Sequence, residues 1–257
     1  MNQAAQKKTD RNGPRFHYPD ALGNGSEVRL PADSAHHALR VLRLTVGETV
    51  ILFNGRGGEY ESRITRAEKG KVWVKTFAYS EPMRESPIEL VLAQGVSSGE
   101  RMDLTLQKSV ELGATSIQPI TAERSIVRLS GERAVRRTEH WRNLVIAACE
   151  QCGRNRIPEV AALARLEDWL GQLPAKSAPG ELRVLLSPTA QASLKQLPGR
   201  ASRIVLLAGP EGGYSPAEVA AALSRDFMAA RLGPRILRTE TAALAALAAI
   251  QALWGDF

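Results

Sequence analysis

Two loops in the C-terminal part of the chain carry residues suited to holding a small organic ligand. Leu206-Leu207-Ala208 runs into Gly209-Pro210-Glu211-Gly212-Gly213, and one helix later comes Leu232-Gly233-Pro234-Arg235-Ile236-Leu237-Arg238-Thr239-Glu240-Thr241-Ala242. In both, an apolar strand ends in a Gly- and Pro-rich loop that leads into a helix. That arrangement presents backbone N–H and C=O groups at the carboxyl edge of a parallel sheet, where α/β proteins bind ligands. Phosphate signatures are missing: there is no G-x-x-x-x-G-K-[ST], and Gly209, Gly212 and Gly213 do not make G-x-G-x-x-G. The implied chemistry is recognition, largely by backbone groups, of a ligand with little anionic charge.

Other reactive residue types are sparse. Cys149 and Cys152 are the only cysteines, which excludes a disulfide framework by count. Their C-x-x-C spacing falls at the end of a helical pattern, not at the start where a redox dithiol is activated. His17, His36, His37 and His140 show no paired zinc-ligand spacing with them, so no metal is assigned. The net charge of +7 suits a polyanionic partner, with a mildly basic soluble protein as the plain alternative. Arginine supplies much of the excess, and its planar fork suits phosphates and base edges, which points to nucleic acid. No charge-free run of 18 apolar residues occurs, and Met1 to Gly13 is polar, unlike a signal sequence. No membrane association and a cytoplasmic location are expected.

The elements that must position these loops are readable from periodicity. Residues 1–13 are expected to be a disordered head. Residues 14–80 read as a small barrel-like β domain, with strands near 27–30, 48–54, 58–64 and 71–77 and a helical insert over 32–42 capped by Asp33 or Ser34. Residues 81–87, with Pro82 and Pro87, form the linker. From residue 88 to 257 the rhythm is strand, helix, strand: apolar runs at 88–96, 116–120, 182–187 and 203–208 alternate with helical patterns at 101–112, 133–153 and 166–173. An α/β domain with a parallel sheet follows. Ser215-Pro216-Ala217-Glu218 is a capping box with Pro at the first helical position. The final helix, 239–254, is nearly all Ala, Leu and Ile, which predicts burial on all sides, either inside the domain or at a homodimer interface.

Several segments taken in order resemble a known family: Gln107-Lys108-Ser109-Val110-Glu111-Leu112-Gly113, Glu123-Arg124-Ser125, Glu150-Gln151-Cys152-Gly153-Arg154, the Gly209–Gly213 loop and the Leu232–Ala242 loop. From about Pro14 onward the chain is similar to the bacterial 16S rRNA uridine-N3 methyltransferases, the RsmE family of the SPOUT superfamily. The resemblance implies a PUA-like RNA-binding β-barrel followed by a SPOUT domain whose chain forms a trefoil knot, an exception to the rule against threading. It also implies a homodimer that binds S-adenosyl-L-methionine in the knot loops. By match, Leu186, Ser187, Leu207, Gly209, Gly213, Leu232, Ile236, Leu237 and Ala242 line the cofactor pocket. A phosphate-free cofactor agrees with glycine loops that lack a Lys or Ser/Thr partner.

The implied reaction methylates N3 of a specific uridine in 16S rRNA, carried in assembled small ribosomal subunits. Arg154, Arg235 and Arg238 are the candidates for offsetting charge on the uridine anion. Glu211 is assigned to the same catalytic neighbourhood, as loop cap, sulfonium-orienting group or proton acceptor, with Glu150 and Glu240 as other acceptors. The RNA-binding candidates are Arg15, His36, His37, Arg40, Arg43 and Arg56 in the β domain and Lys108 and Arg124 beyond it. Two alternatives stay open: a SPOUT enzyme acting on transfer RNA or a ribose 2′-hydroxyl, and a non-catalytic RNA-binding assembly factor.

Overall fold

The computed structural model describes residues 13–199 and 201–257, so the expected head lies, Gly13 apart, outside the described residues. The chain divides into two compact units: residues up to Arg84 together with Cys149–Ile157, and Glu85–Ala148 together with Pro158–Phe257. The Glu150-Gln151-Cys152-Gly153-Arg154 segment, read as part of the second domain, thus packs with the first.

In the first unit, β1 (Arg15–His17), β2 (Glu27–Arg29), β3 (Thr49–Phe53), β4 (Glu59–Glu68) and β5 (Lys71–Ser80) form one five-stranded sheet, ordered β1-β3-β4-β5-β2. The β4–β5 hairpin turns at Lys69 and Gly70, whose φ values of 49° and 77° suit the right-handed twist of the flanking strands. Period-2 alternation buries Val72, Val74 and Thr76 while Lys71 and Lys75 face water. Helix α1 (Ala32–His36) continues as a π-helical turn over His37–Val41. The expected Asp33 or Ser34 cap is not used. Extended Pro31 occupies the N-cap without a side-chain bond, and Asp33 falls inside the first turn, where its charge still complements the helix dipole.

The second unit follows the strand–helix reading: β6 (Glu89–Gly95), α2 (Gly99–Glu111), β7 (Ser116–Thr121), α3 (Gly131–Cys152, its last turn from Cys149 belonging to the first unit), the short β8 (Glu159–Val160) and β9 (Ala164–Arg165), α4 (Leu166–Gln172), β10 (Glu181–Leu186), β11 (Arg203–Ala208), α5 (Pro216–Leu223), β12 (Phe227–Ala230) and α6 (Thr239–Trp254). All pairings are parallel, in the order β12-β10-β11-β6-β7-β8, with β9 also on β7. Both faces are covered, which is why these strands read as continuous apolar runs. Leu90, Leu92, Val184, Ile204 and Leu206 pack against α6, while Val91, Ala93, Val205 and Leu207 meet Leu166, Trp169, Leu170 and Ala222 on the other face.

Helix α6 buries Ala243, Ala246, Leu247 and Ile250, a stripe at i, i+3, i+4 and i+7. Within one chain the expected burial on all sides is therefore not reached: Leu253 remains 47% exposed. The capping box before α5 forms as read, with Ser215 Oγ accepting from the Glu218 N–H and Glu218 accepting from the Ser215 N–H. Such a cap is worth about 1 kcal/mol, and it fixes where the Gly209–Gly213 loop ends.

Candidate active site

The carboxyl ends of β10, β11 and β12 open into one cavity of about 430 Å³. Three strand-end segments reach it, Leu186-Ser187-Pro188, the Gly209–Gly213 loop, and residues 230–242, and Arg101 of α2 joins them on the wall. Leu186, Ser187, Gly209, Gly213, Leu232, Ile236, Leu237 and Ala242, all implied by the family resemblance, lie on its wall. Leu207 does not. Successive strand side chains point to opposite faces, and Leu207 is fully buried in the core on the α4–α5 side. Ile236 stands 85% exposed at the cavity mouth, an apolar lip with nothing folded over it.

The loops are fastened from below. Gln94 Nε2 donates to Thr239 Oγ1 at 3.1 Å, and Thr239 Oγ1 in turn donates to the Gly209 carbonyl. Tyr214 OH donates to the Ala208 carbonyl at 2.9 Å, and its burial pushes the phenol pKa well up, keeping it a neutral donor. Gly95 permits the close crossing of β6 and the loop: a Cβ there would sit 2.4 Å from the Pro210 nitrogen. The third strand-end loop is held by Arg231, whose guanidinium donates to the carbonyls of Ala190 and Gln191.

Charge on the wall is arranged around Arg101, which sequence reading did not single out. Its guanidinium lies 3.4 Å from Glu211 and 4.0 Å from Glu240. Glu211 Oε1 also accepts from the Ser98 N–H at 2.9 Å and the Ser98 hydroxyl at 3.1 Å. Burial pushes the Glu211 carboxyl up, but the Ser98 bonds and the Arg101 charge outweigh it and hold the group below the usual range. An anion so stabilised is a weak proton acceptor; Oε1 fastens the loop to Ser98, which leaves the second oxygen for the cavity. The other carboxylate oxygens, Glu211 Oε2 and Glu240 Oε2, are buried without a hydrogen-bond partner among the described residues. Two such acceptors on a cavity wall fit a ligand that brings donors or positive charge. Arg235 and Arg238 line the same cavity, are exposed, and have no carboxylate partner among the described residues.

The remaining candidates are distributed elsewhere. Arg154 is 4% exposed, belongs to the first unit and is not among the cavity residues. Glu150 accepts from the His17 N–H at 2.8 Å, and burial pushes its carboxyl up. Arg15 is not offered to solvent: its guanidinium donates to Glu59 and Asn155, both at 2.5 Å, and lies 4.9 Å over the Phe53 ring. Lys108 is paired with Glu111 at 2.8 Å. His36, His37, Arg40, Arg43, Arg56 and Arg124 are exposed. Arg43 adopts φ 55°, a left-handed conformation that costs a non-glycine residue about 1 kcal/mol or more. A long basic side chain kept at such a position is a reasonable mark of use.

The buried Glu59 that holds Arg15 also accepts from Arg84 at 2.7 Å and Asn155 at 3.1 Å. Burial pushes its carboxyl up, but these bonds outweigh it and set the pKa below the ordinary value. The stabilisation is therefore present above the unfolded-state glutamate pKa and is lost as pH falls through the lowered folded value. We expect Glu59→Gln to cost on the order of 3 kcal/mol at neutral pH, with the gap to wild type closing in acid. Urea denaturation across pH checks this, and a pH-independent gap contradicts it.

A family model described as an RNA methyltransferase domain matches residues 84–251, and one described as an RNA methyltransferase PUA domain matches residues 30–77. The fold and its cavity thus define the class of RNA methyltransferase domains joined to PUA domains. The ribosomal RNA small subunit methyltransferase E of Buchnera aphidicola is 32% identical over 95% of this chain and 97% of its own, and that of Bacillus subtilis is 33% identical over 86% and 88%. Among solved structures, the same enzyme from Neisseria gonorrhoeae, bound to S-adenosyl methionine, is 42% identical, with a TM-score of 0.87 over 95% of this chain and 99% of that one. A methyltransferase from Legionella pneumophila in complex with the same cofactor is 37% identical with a TM-score of 0.90, again over 95% and 99%. The chain belongs to the ribosomal RNA small subunit methyltransferase E family.

Proposed function

We propose that this chain transfers a methyl group from S-adenosyl-L-methionine to N3 of one uridine in 16S rRNA. The observation that carries the reading is the cavity itself: three strand-end loops converge on an apolar space that also presents two buried carboxylate oxygens lacking partners among the described residues. The donor fits that combination. Its adenine takes apolar walls and backbone bonds, as Leu186, Leu232, Leu237 and the glycines supply. Its ammonium and sulfonium charges suit the free acceptor capacity of Glu211 and Glu240. When bound, the cofactor supplies an activated methyl group.

The protein's own residues then orient and offset charge. Transfer to N3 requires the imide proton to pass to solvent water, and guanidinium groups stabilise the resulting anion more than they stabilise neutral uracil. Arg235 and Arg238 fill that role from the cavity wall. His36, His37, Arg40, Arg43 and Arg56 serve as RNA phosphate contacts on the first unit, which we take to close as a PUA-like barrel, with Lys108 and Arg124 assisting from the second. Phosphate contacts position RNA without reading its sequence, which favours an assembled small subunit as substrate. We also propose the trefoil knot for the C-terminal α/β domain and a homodimer that uses α6. The nearly all-apolar α6, whose Leu253 is left 47% exposed in the single chain, supports the dimer.

Calorimetric titration with S-adenosyl-L-methionine tests the donor assignment. Saturable binding is expected, and a folded protein that evolves no heat of binding contradicts it.

A further inference from the structure

A second groove of about 640 Å³ lies in the same unit, where the end of β6 and the start of α2 meet the first turns of α3. Four cationic or ionisable side chains border it: Arg133, Arg136, Arg137 and His140, spaced along the α3 face. Asp103 on α2 faces them, 3.3 Å from Arg137 and 2.9 Å from His140, so these two are held in place by one carboxylate. Arg136 has only a distant, exposed partner in Glu132 at 3.5 Å, and Arg133 has no carboxylate partner among the described residues. The groove is left with a surplus of positive charge.

Ser97 provides an independent observation. It borders this groove, is 2% exposed, and its hydroxyl has no hydrogen-bond partner among the described residues. A buried hydroxyl left unsatisfied costs about 1–3 kcal/mol, so this one calls for an acceptor that the described residues do not supply. Its neighbour Ser98 holds Glu211 on the wall of the donor cavity. The groove and the cavity are thus joined through a single backbone step.

Resting on the methyltransferase reading, we propose that this groove binds the phosphodiester backbone of the substrate RNA beside the target nucleotide, with Arg133 and Arg136 on phosphate oxygens and the Ser97 hydroxyl donating to one of them. Neighbouring Val127 and Leu129 give the groove an apolar side suited to a sugar or base face. A protein partner would need an acidic segment here; RNA supplies repeated phosphates and an apolar edge together.

The test uses the full chain and a fluorescent 16S rRNA fragment, titrated at several salt concentrations, with donor binding measured separately. Arg133→Glu combined with Arg136→Glu is expected to weaken RNA binding at least tenfold and to reduce the salt dependence of log K by about 0.7 for each single-stranded phosphate that the variant no longer neutralises, leaving donor affinity within twofold. Ser97→Ala is expected to weaken RNA binding severalfold without lowering Tm, because it removes an unsatisfied buried group; a purely structural serine would show the reverse. Unchanged RNA affinity and salt slope in the double variant overturn the proposal. So does a wild-type protein that binds no RNA at low salt. RNA that binds through the arginines but receives no methyl group leaves the groove standing and defeats the methyltransferase reading alone.

Discussion

Gly213→Arg is expected to abolish measurable binding of S-adenosyl-L-methionine, a loss of at least a hundredfold, while the protein stays folded. Gly213 closes the tight turn that starts at Pro210, with its N–H donating to the Pro210 carbonyl at 2.9 Å, and it holds φ 64°. Any side chain at that angle costs about 1–2 kcal/mol. Steric cost at the first carbon is absent, because nothing lies within 4 Å of a Cβ built there. On the proposed reading the donor occupies this open space beside the cavity wall, and an arginine would both fill it and add positive charge against a cationic ligand. Gly213→Ala separates these effects. It carries the same backbone strain with little bulk, so it should lower Tm by a similar amount yet keep donor affinity within a few-fold. Equal loss of donor binding in both variants would mean that backbone geometry, not occupancy of the cavity, is what matters.

Replacing Arg235 and Arg238 together by Ala is expected to lower kcat by at least about a hundredfold to a thousandfold, the cost of removing even one charge-stabilising donor from a reacting centre. Both arginines are exposed at the cavity, so the substitution leaves no buried hole and should change stability little. The pH dependence gives the sign. If the guanidinium groups stabilise the uridine anion, removing them raises the pH at which the imide gives up its proton. The rate deficit should then be largest near neutrality and shrink as pH rises. A deficit that is constant across pH, accompanied by weaker donor binding, would show that these residues hold the cofactor instead.

Much of the cavity was legible because its signals are local. Glycine and proline at strand ends, Ser215 three residues before Glu218, and the apolar run of α6 each constrain a few neighbouring residues, and the structure places those loops around one space. Leu207 shows where such reading stops: a loop-flanking leucine looks like a wall residue until strand pleat assigns it to the opposite face, and pleat phase depends on the neighbouring strands β6 and β10. Arg15 and Glu59 are 44 residues apart in sequence, so an arginine counted as a surface charge is spent on a buried network that no periodicity reveals. The return of Cys149–Ile157 to the first unit is a long-range fact of the same kind. Asp33 and Ser34 failed as caps for a local reason: Pro31 had already set the extended entry, one residue before Ala32. Arg101 and Ser97 carried no motif at all; only the packing around them gives one its two carboxylates and leaves the other's hydroxyl without a partner among the described residues.

The most direct test of the central claim supplies purified protein with methyl-labelled S-adenosyl-L-methionine and small ribosomal subunits whose 16S rRNA has not been modified, then digests the RNA and identifies the labelled nucleoside. The account predicts label in N3-methyluridine at a single position of 16S rRNA. Label in any other nucleoside, or none in a protein shown to bind the donor, would contradict it.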